Sequence, residues 1–375
     1  MKTTAPTVLN PYFTRAKFGD HDELSSLIQG GNSEFIQRGP GPFTGEFEFV
    51  GLDAGTLQFG RMDVPYLGRG ESRTDRIGFL LHLEQRGKWL WRGQTLDPRS
   101  LIALAPRAEI QDTHTADSFW AFLSFDPEPL GRALSALTGS DEALIPHGTR
   151  LFLPQVDTFD LLRRRLRAVQ AAVNTDPTLL AVPEARRGVE ESVLSVLSRV
   201  LDSASRVRPS GYGTATRTRL ARRVEDYLEA NKWETVHLAH LCAVAGVSER
   251  TLRYIFQELY GMSPVRYLKL RRLHQVRRAL RRADSDLNTV QDVANRCGIW
   301  HLGRFAAEYR GLFGESPLET LRRTGDSGKG PRSLTGPWRA LRNAVSVPGI
   351  GGNPAQRPSA GVRPSRKPGS SEAEN

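Results

Sequence analysis

Residues 298–317 read GIWHLGRFAAEYRGLFGESP, and residues 246–264, GVSERTLRYIFQELYGMSP, carry nearly the same pattern about fifty residues earlier. With Gly246 set against Gly298, the upstream apolar positions fall into register: Leu238 with Val290, Leu241 with Val293, Cys242 with Ala294, Ala245 with Cys297. One additional residue after the turn continues the match, pairing Leu252 with Phe305, Phe256 with Tyr309, Tyr260 with Phe313, Gly261 with Gly314 and Ser263-Pro264 with Ser316-Pro317. Each copy reads as a short helix, a turn at glycine, and a second helix ended by another glycine.

In a helix-turn-helix the first helix crosses the second closely, so a small side chain stands at the contact and the turn needs positive φ. Cys242 and Ala294 are those small residues, each four before its glycine, and with Cys297 aligned to Ala245 both cysteines fall at small-residue core positions, read as buried and inert and not as metal or redox groups. Ser248 is placed to cap the second helix, and Pro264 and Pro317 suit the first turn of the helix that follows. Two helix-turn-helix units therefore stand in tandem.

Between them, VRYLKLRRLHQVRRALRR (265–282) sets Val265, Leu268, Leu273, Val276 and Leu280 on one side and its arginines on the other. As one helix of about 18 residues it spans roughly 27 Å. That is comparable to the one-turn repeat of duplex DNA, about 34 Å, so the two second helices reach adjacent major grooves on one face. Part of the arginine set is expected to pair with acids such as Asp284 and Asp286.

Charge follows the same division. Of the 375 residues, 1–200 carry 22 Lys+Arg against 25 Asp+Glu, 201–325 carry 22 against 13, and 326–375 carry 8 against 3, so the net +11 lies beyond residue 200. A basic segment joined to a mildly acidic one points to a polyanion for the second part, since Lys and Arg release counterions from phosphates, and an acidic membrane surface fits the same arithmetic. The N-terminus lacks the apolar core of a signal peptide and no stretch reaches about 18 apolar residues, which predicts a cytoplasmic protein that does not engage a membrane.

From about Glu46 to Phe125, runs such as EFEFVGL, IGFLLHLE and FWAFLSF alternate between turn residues, the pattern of a small barrel or sandwich. Leu161, Leu162, Leu166 and Val169, then Val189, Val193, Leu197 and Val200, recur at three and four, which predicts two amphipathic helices covering the sheet or meeting a second subunit. Arg163, Arg164 and Arg165 read as a solvated helix face. The expected architecture is α+β with two domains: a β-barrel with flanking helices at 20–205, a Pro/Gly/Ser/Thr-rich linker at 206–216, an all-α tandem helix-turn-helix at 217–325, and a disordered basic tail at 326–375.

The strings A-G-V-S-E-R-T-L-R and V-x-D-V-A-x-x-C-G-I-W-H-L-G-R-F-x-x-x-Y-R-x-L-F-G-E-S-P make residues 217–323 resemble the DNA-binding domain of AraC/XylS-family transcription regulators. PGPFTGEFEFV and the β-rich half resemble the cupin-like N-terminal domain of one branch of that family. Trp300 and His301 depart from the small polar residues usual at the start of the second reading helix, and the basic tail lies outside the family pattern. The resemblance implies an effector-responsive activator of promoter DNA that contacts RNA polymerase, with a small-molecule effector and a homodimer as further partners.

Ser248, Glu249, Arg250, Arg253, Tyr254 and Gln257 are the candidate DNA contacts of the first reading helix, while Leu252, Ile255 and Phe256 face the core. The resemblance places Arg250, Arg253 and Tyr254 at base-reading positions, and arginine suits guanine O6/N7. The second helix offers His301, Gly303, Arg304 and Ala307, a poorer set that favours backbone and shape over base edges. Trp300, beside a helix start, is expected to pack as a staple.

The rival reading is a metal-dependent cupin-type enzyme fused to a DNA-binding domain. Such sites need clustered His with a carboxylate. The β-region offers His82, Glu84 and a distant His114 without H-x-H, so no catalytic residue, metal ligand or cofactor is assigned. A ligand pocket using Trp89, Trp91 and Trp120, with Arg61, Arg73 and Arg76 for an anion, is the expectation preferred over catalysis and over an effectorless dimerisation domain.

Overall fold

The computed structural model describes residues 7–28, 33–73, 75–138, 148–207, 214–231, 234 and 236–326. Its first half runs β1 (Thr7–Asn10), β2 (Phe13–Phe18), α1 (His21–Leu27), β3 (Ser33–Gln37), β4 (Gly45–Gly51), β5 (Gly55–Met62), β6 (Tyr66–Glu71), β7 (Ile77–Gln85), β8 (Trp89–Trp91), β9 (Gln94–Thr95), β10 (Leu101–Leu104), β11 (Glu109–His114), β12 (Ser118–Phe125), α2 (Pro127–Thr138) and β13 (Thr149–Leu153). It ends with α3 (Val156–Thr175), a 3-10 turn at Pro177–Ala181, α4 (Pro183–Ser203) and β14 (Ser205–Val207).

The strands form two antiparallel sheets, ordered β1-β2-β4-β5-β12-β7-β10-β13-β14 and β3-β6-β11-β8-β9. Period-2 alternation gives the large sheet two apolar faces. One, with Phe59, Phe79 and Leu123, is covered by Leu162, Leu166, Val193 and Leu197 of α3 and α4. The other packs Phe47, Phe49, Leu104 and Trp120 against Tyr66, Trp89 and Trp91 of the small sheet. The helix pair thus covers the sheet. Arg164 and Arg165 lie in solvent as expected, whereas Arg163 bends back to donate to the Leu83 carbonyl.

Two boundaries move. The sheet starts at Thr7, ahead of residue 20, because FTRAKF pairs along its length with β4 from Phe13↔Val50 to Phe18↔Gly45. The chain is still paired at Val207, opposite Leu151 of β13, so the 206–216 linker begins inside a strand. Residues 208–213 and the tail from 327 onward lie outside the described residues.

The second half is helical: α5 (Thr214–Ala230), α6 (Leu238–Ala245), α7 (Glu249–Tyr260), α8 (Pro264–Arg282), α9 (Val290–Arg296), α10 (Leu302–Phe313) and α11 (Pro317–Asp326). Leu241, Ala245, Leu252, Phe256, Leu273, Val276, Val293, Ala294, Phe305 and Tyr309 share one core. Full burial of such side chains stabilises the fold by about 1.5–3 kcal/mol each. Ile36 of β3 and Leu67 of β6 belong to that same core, so the small sheet is walled on one side by the first domain and on the other by the second. Val265 departs from its expected place on the apolar side of α8 and is 53 % exposed, since it sits in the first turn, ahead of the contact with α9.

Candidate nucleic-acid interface

Both units make the tight turn that their glycines predict. Gly246 has φ +67° and Gly298 φ +72°, and each second helix ends at a left-handed glycine, Gly261 at +63° and Gly314 at +72°. Ser248 Oγ accepts from Thr251 N at 3.2 Å and so caps α7. Thr289 and Asp292 close a reciprocal box at the start of α9. His301 stands at the N-cap of α10 but makes no side-chain capping bond there.

With Leu252, Ile255, Phe256 and Leu259 buried, α7 turns Glu249, Arg250, Arg253, Tyr254 and Gln257 outward, all exposed. Arg253 is held by Glu249 one turn away, with Nε to Oε1 at 2.8 Å. Tyr254, 59 % exposed, lies under the Arg217 guanidinium at 5.3 Å from its ring centre, and Arg217 is itself fixed by Glu258. Arg250 has no partner among the described residues. On α10, His301, Gly303, Arg304 and Ala307 are all exposed; a side chain at Gly303 would meet open space, and Arg304 pairs with Glu308 at 2.9 Å. Trp300 corrects the packing expectation: it is 72 % exposed. The turn at Gly298 carries the chain outward, and Ile299 next to it takes the inward position.

The first domain grips the opposite ends of these helices. Residues 37–42 form a strap across both C-terminal caps: Arg38 Nη2 donates to Gly261 O at 3.2 Å, Gln37 Nε2 to Leu312 O at 2.7 Å, and Gly41 N to Gly311 O at 3.3 Å. Pro42 packs so tightly on Gly314 that a Cβ there would come within 2.7 Å, and a Cβ at Gly93 would come within 2.6 Å of Glu258 O. The outward faces of α7 and α10 stay exposed.

The arginines of α8 do not turn to Asp284 and Asp286. Arg277 reaches Asp20 at 3.4 Å and Glu315 at 3.1 Å, Arg278 reaches Asp22 at 2.8 Å and Glu34 at 3.0 Å, and Arg281 reaches Asp20 at 2.5 Å and Glu23 at 2.7 Å. Sequence adjacency misled here, because a helix of this length carries its arginines away from its own end and onto the acidic α1–β3 segment. Burial opposes the Asp20 carboxylate, but Arg277 and Arg281 outweigh it and hold its pKa well below the usual range. His274 of α8 stands edge-on to His21 at 5.5 Å, and burial beside Arg278 and Arg277 lowers it to about 3.

Inside the β-domain, a cavity of about 70 Å³ is lined by Phe35, Gln58, Tyr66, Gly68, Leu80, Asp112, Trp120 and Phe122, with Arg69 and Arg73 at its edge. Arg61 and Arg76 do not line it. Arg61 lies over Phe119 on the face toward α3, and Arg76 pairs with Asp126. Gln58, Asp112 and Arg69 are absent from the sequence expectation; the alternation of β5 and β11 could have placed Gln58 and Asp112 on inward faces, whereas Arg69 shares the face of Leu67 and reaches Glu34, Tyr267 and Glu225. His114 is not distant from His82: their rings stack at 4.8 Å, between Tyr66 and Trp89, and Asp112 Oδ2 lies 2.7 Å from His114 Nε2. Burial, reinforced by His114, holds His82 well below the ordinary histidine range. Glu84 points outward to Arg167 instead. Among the described residues no group of three His, Cys, Asp or Glu side chains is arranged to hold a metal ion, and no helix is long and apolar enough to cross a membrane.

Residues 241–323 match the family described as a helix-turn-helix domain. The chain is 42 % identical over 103 residues to a probable thc operon regulatory protein of Rhodococcus erythropolis, a match that spans 28 % of this chain and 31 % of that one. It is 27 % identical over 275 residues to the XylDLEGF operon transcriptional activator 3 of Pseudomonas putida, covering 71 % of this chain and 80 % of that one. Among solved structures, a probable AraC family transcriptional regulator from Rhodopseudomonas palustris is similar at 38 % identity, with 28 % of this chain and 97 % of that one covered and a TM-score of 0.26.

Proposed function

We propose that the chain is a transcription regulator of the AraC/XylS type, which binds promoter DNA sequence-specifically and responds to a small effector. The observation that carries the reading is the pair of outward faces on α7 and α10, joined by the 19-residue α8 and left uncovered by the first domain. α8 is about 28 Å long, which suits two helices entering successive major-groove segments on one side of a duplex. Arg250, free and at the start of α7, is the leading base reader; Arg253 and Arg304 are held by carboxylates and serve bases or phosphates once turned. The similarity to a protein named as an operon activator supports activation, with RNA polymerase as the partner.

Sensing is assigned to the small sheet. Ser33, Phe35, Tyr66 and Gly68 face the cavity, while Ile36 and Leu67, one residue on, enter the core of the DNA-binding half. A cavity of about 70 Å³ is smaller than the ~150 Å³ that holds a benzene. An effector of that size that fills the space presses on this wall, and the wall continues into the strap at 37–42. Coupling runs through β3 rather than through α3 and α4, which pack on the other sheet. This division of labour favours a sensor over the catalytic alternative.

The test is selection of binding sites from random duplexes by the full chain, followed by footprinting. Protection of two major-groove segments about one turn apart is expected; protection of a single segment, or none, overturns the reading. A metabolite screen by melting temperature, scored again for a change in DNA affinity, identifies the effector, because a ligand that favours one arrangement must shift both.

A further inference from the structure

A groove of about 540 Å³ lies between α8 and the start of α10, lined among others by Val265, Leu268, Lys269, Arg272, Trp300 and Arg304. Lys269 bonds Glu308 at 2.8 Å, and Glu308 also holds Arg304. With one carboxylate shared by two cations, the third, Arg272, has no hydrogen-bond or ion-pair partner among the described residues although it is half-buried. A guanidinium taken partly out of water without a counter-charge is stabilised by any anion that reaches it. Burial accordingly pushes its pKa down, against a smaller opposing influence of Cys297. His237 and His301 add no negative charge to the lining.

Position identifies the anion. Arg272 is the ninth of the 19 residues of α8, the helix that joins the two units, and shares its groove with Trp300 and Arg304 at the start of α10. The groove opens on the side of His301 and Arg304, the exposed face of α10. When both helices occupy successive major-groove segments, the duplex between them presents a minor groove, and its nearest anions are backbone phosphates. We propose that this groove is a phosphate seat in which Arg272 takes a phosphodiester of the minor-groove stretch between the two reading helices, with the exposed Val265 and Trp300 packing against the adjoining sugars. This inference rests on the DNA-binding reading above and adds a contact that fixes the register of the two units without reading sequence.

The test compares the wild-type chain with Arg272→Gln and Arg272→Lys on the selected duplex and on a scrambled one, across salt. Loss of one phosphate contact lowers the slope of log Kd against log salt by about 0.9, which reduces the fall in affinity between 50 and 200 mM salt by about 3.5-fold. Arg272→Gln is expected to show that change equally on both duplexes, and Arg272→Lys to retain most of the wild-type slope. A single neutral methylphosphonate scanned through the stretch between the footprints should weaken wild type at one position and leave Arg272→Gln unaffected there; this arm stands even where a variant is less stable. An unchanged slope, a loss confined to the selected sequence, or a scan with no such position overturns the seat. Failure of the wild type to bind any duplex would instead overturn the DNA-binding reading itself.

Discussion

Gln37 Nε2 donates to the Leu312 carbonyl at 2.7 Å, across 275 residues of chain, and so ties the small sheet that walls the β-domain cavity to the last turn of α10. The same amide also satisfies Gly39 O at 2.9 Å and Gly41 O at 2.7 Å, which folds the strap onto itself. Replacing Gln37 by Leu leaves these buried carbonyls unsatisfied, at about 1–3 kcal/mol. The expected outcome is a lower urea midpoint and faster proteolysis between the domains, while nonspecific DNA binding persists. An unchanged midpoint would show that the strap does not hold.

Arg250 and Arg253 should separate in their effects. Arg250→Ala is expected to weaken the selected site by about 1–3 kcal/mol and leave scrambled DNA nearly unchanged. Arg253→Ala should cost less, since Arg253 must first leave Glu249, an i,i+4 pair that stabilises by roughly 0.3–0.5 kcal/mol. Competition binding at fixed salt measures both, and equal loss on all sequences would mark Arg250 as a phosphate contact.

Asp20 is the hub of the clasp, shared by Arg277 and Arg281. Asp20→Asn keeps a competent cap for α1, where Asp20 Oδ1 accepts from Asp22 N, and removes only the charge. The buried Arg277 and the partly exposed Arg281 then each lose one counter-ion, and because Glu315 and Glu23 remain, the destabilisation stays below the ~3–5 kcal/mol of a fully broken buried pair. A urea titration with unchanged slope and a lower midpoint is the expected record.

Acid should loosen the same interface through His274. Its folded pKa is about 3 against 6.5 unfolded, so the unfolded chain binds the proton first: stability is complete above pH 6.5 and is lost as pH falls toward 3. Around it stand His21, itself well below the ordinary range through burial and His274, together with Arg277, Arg278, Asp20, the Gln37 carbonyl and Phe313. Glu34, lowered to about 2 by Arg69 and Arg278 against its own burial, loses its contribution only between 4.5 and 2. Between pH 6.5 and 5, His274→Gln should therefore lose about 2 kcal/mol less than wild type by chemical denaturation. Parallel curves would remove His274 from the account.

The tandem helix-turn-helix was legible because its constraints are local. Gly246, Gly298, Gly261 and Gly314 each mark a backbone that must turn with φ positive, Ser248 must cap, and the periods of α7 and α10 sort inward from outward faces within a dozen residues. The sheet is legible in kind and not in partner: alternation shows that β5 and β7 have two faces, but not that of Arg61, Arg73 and Arg76 only Arg73 borders the cavity, nor that Asp112 lines it. Trp300 was misjudged because a helix start does not say whether the turn before it leads inward.

What the sequence determined alone was the DNA-binding half: its turns, caps and apolar stripes are fixed by neighbours within a few residues, where chain geometry leaves little choice. Tertiary structure alone decided that Asp20, Glu34 and Gln37 meet Arg277, Arg278 and Leu312, that His82 meets His114, and that Arg272 finds no partner among the described residues. Those pairings depend on charge and burial between segments separated by up to 275 residues, and no local rule of backbone geometry carries information over that distance.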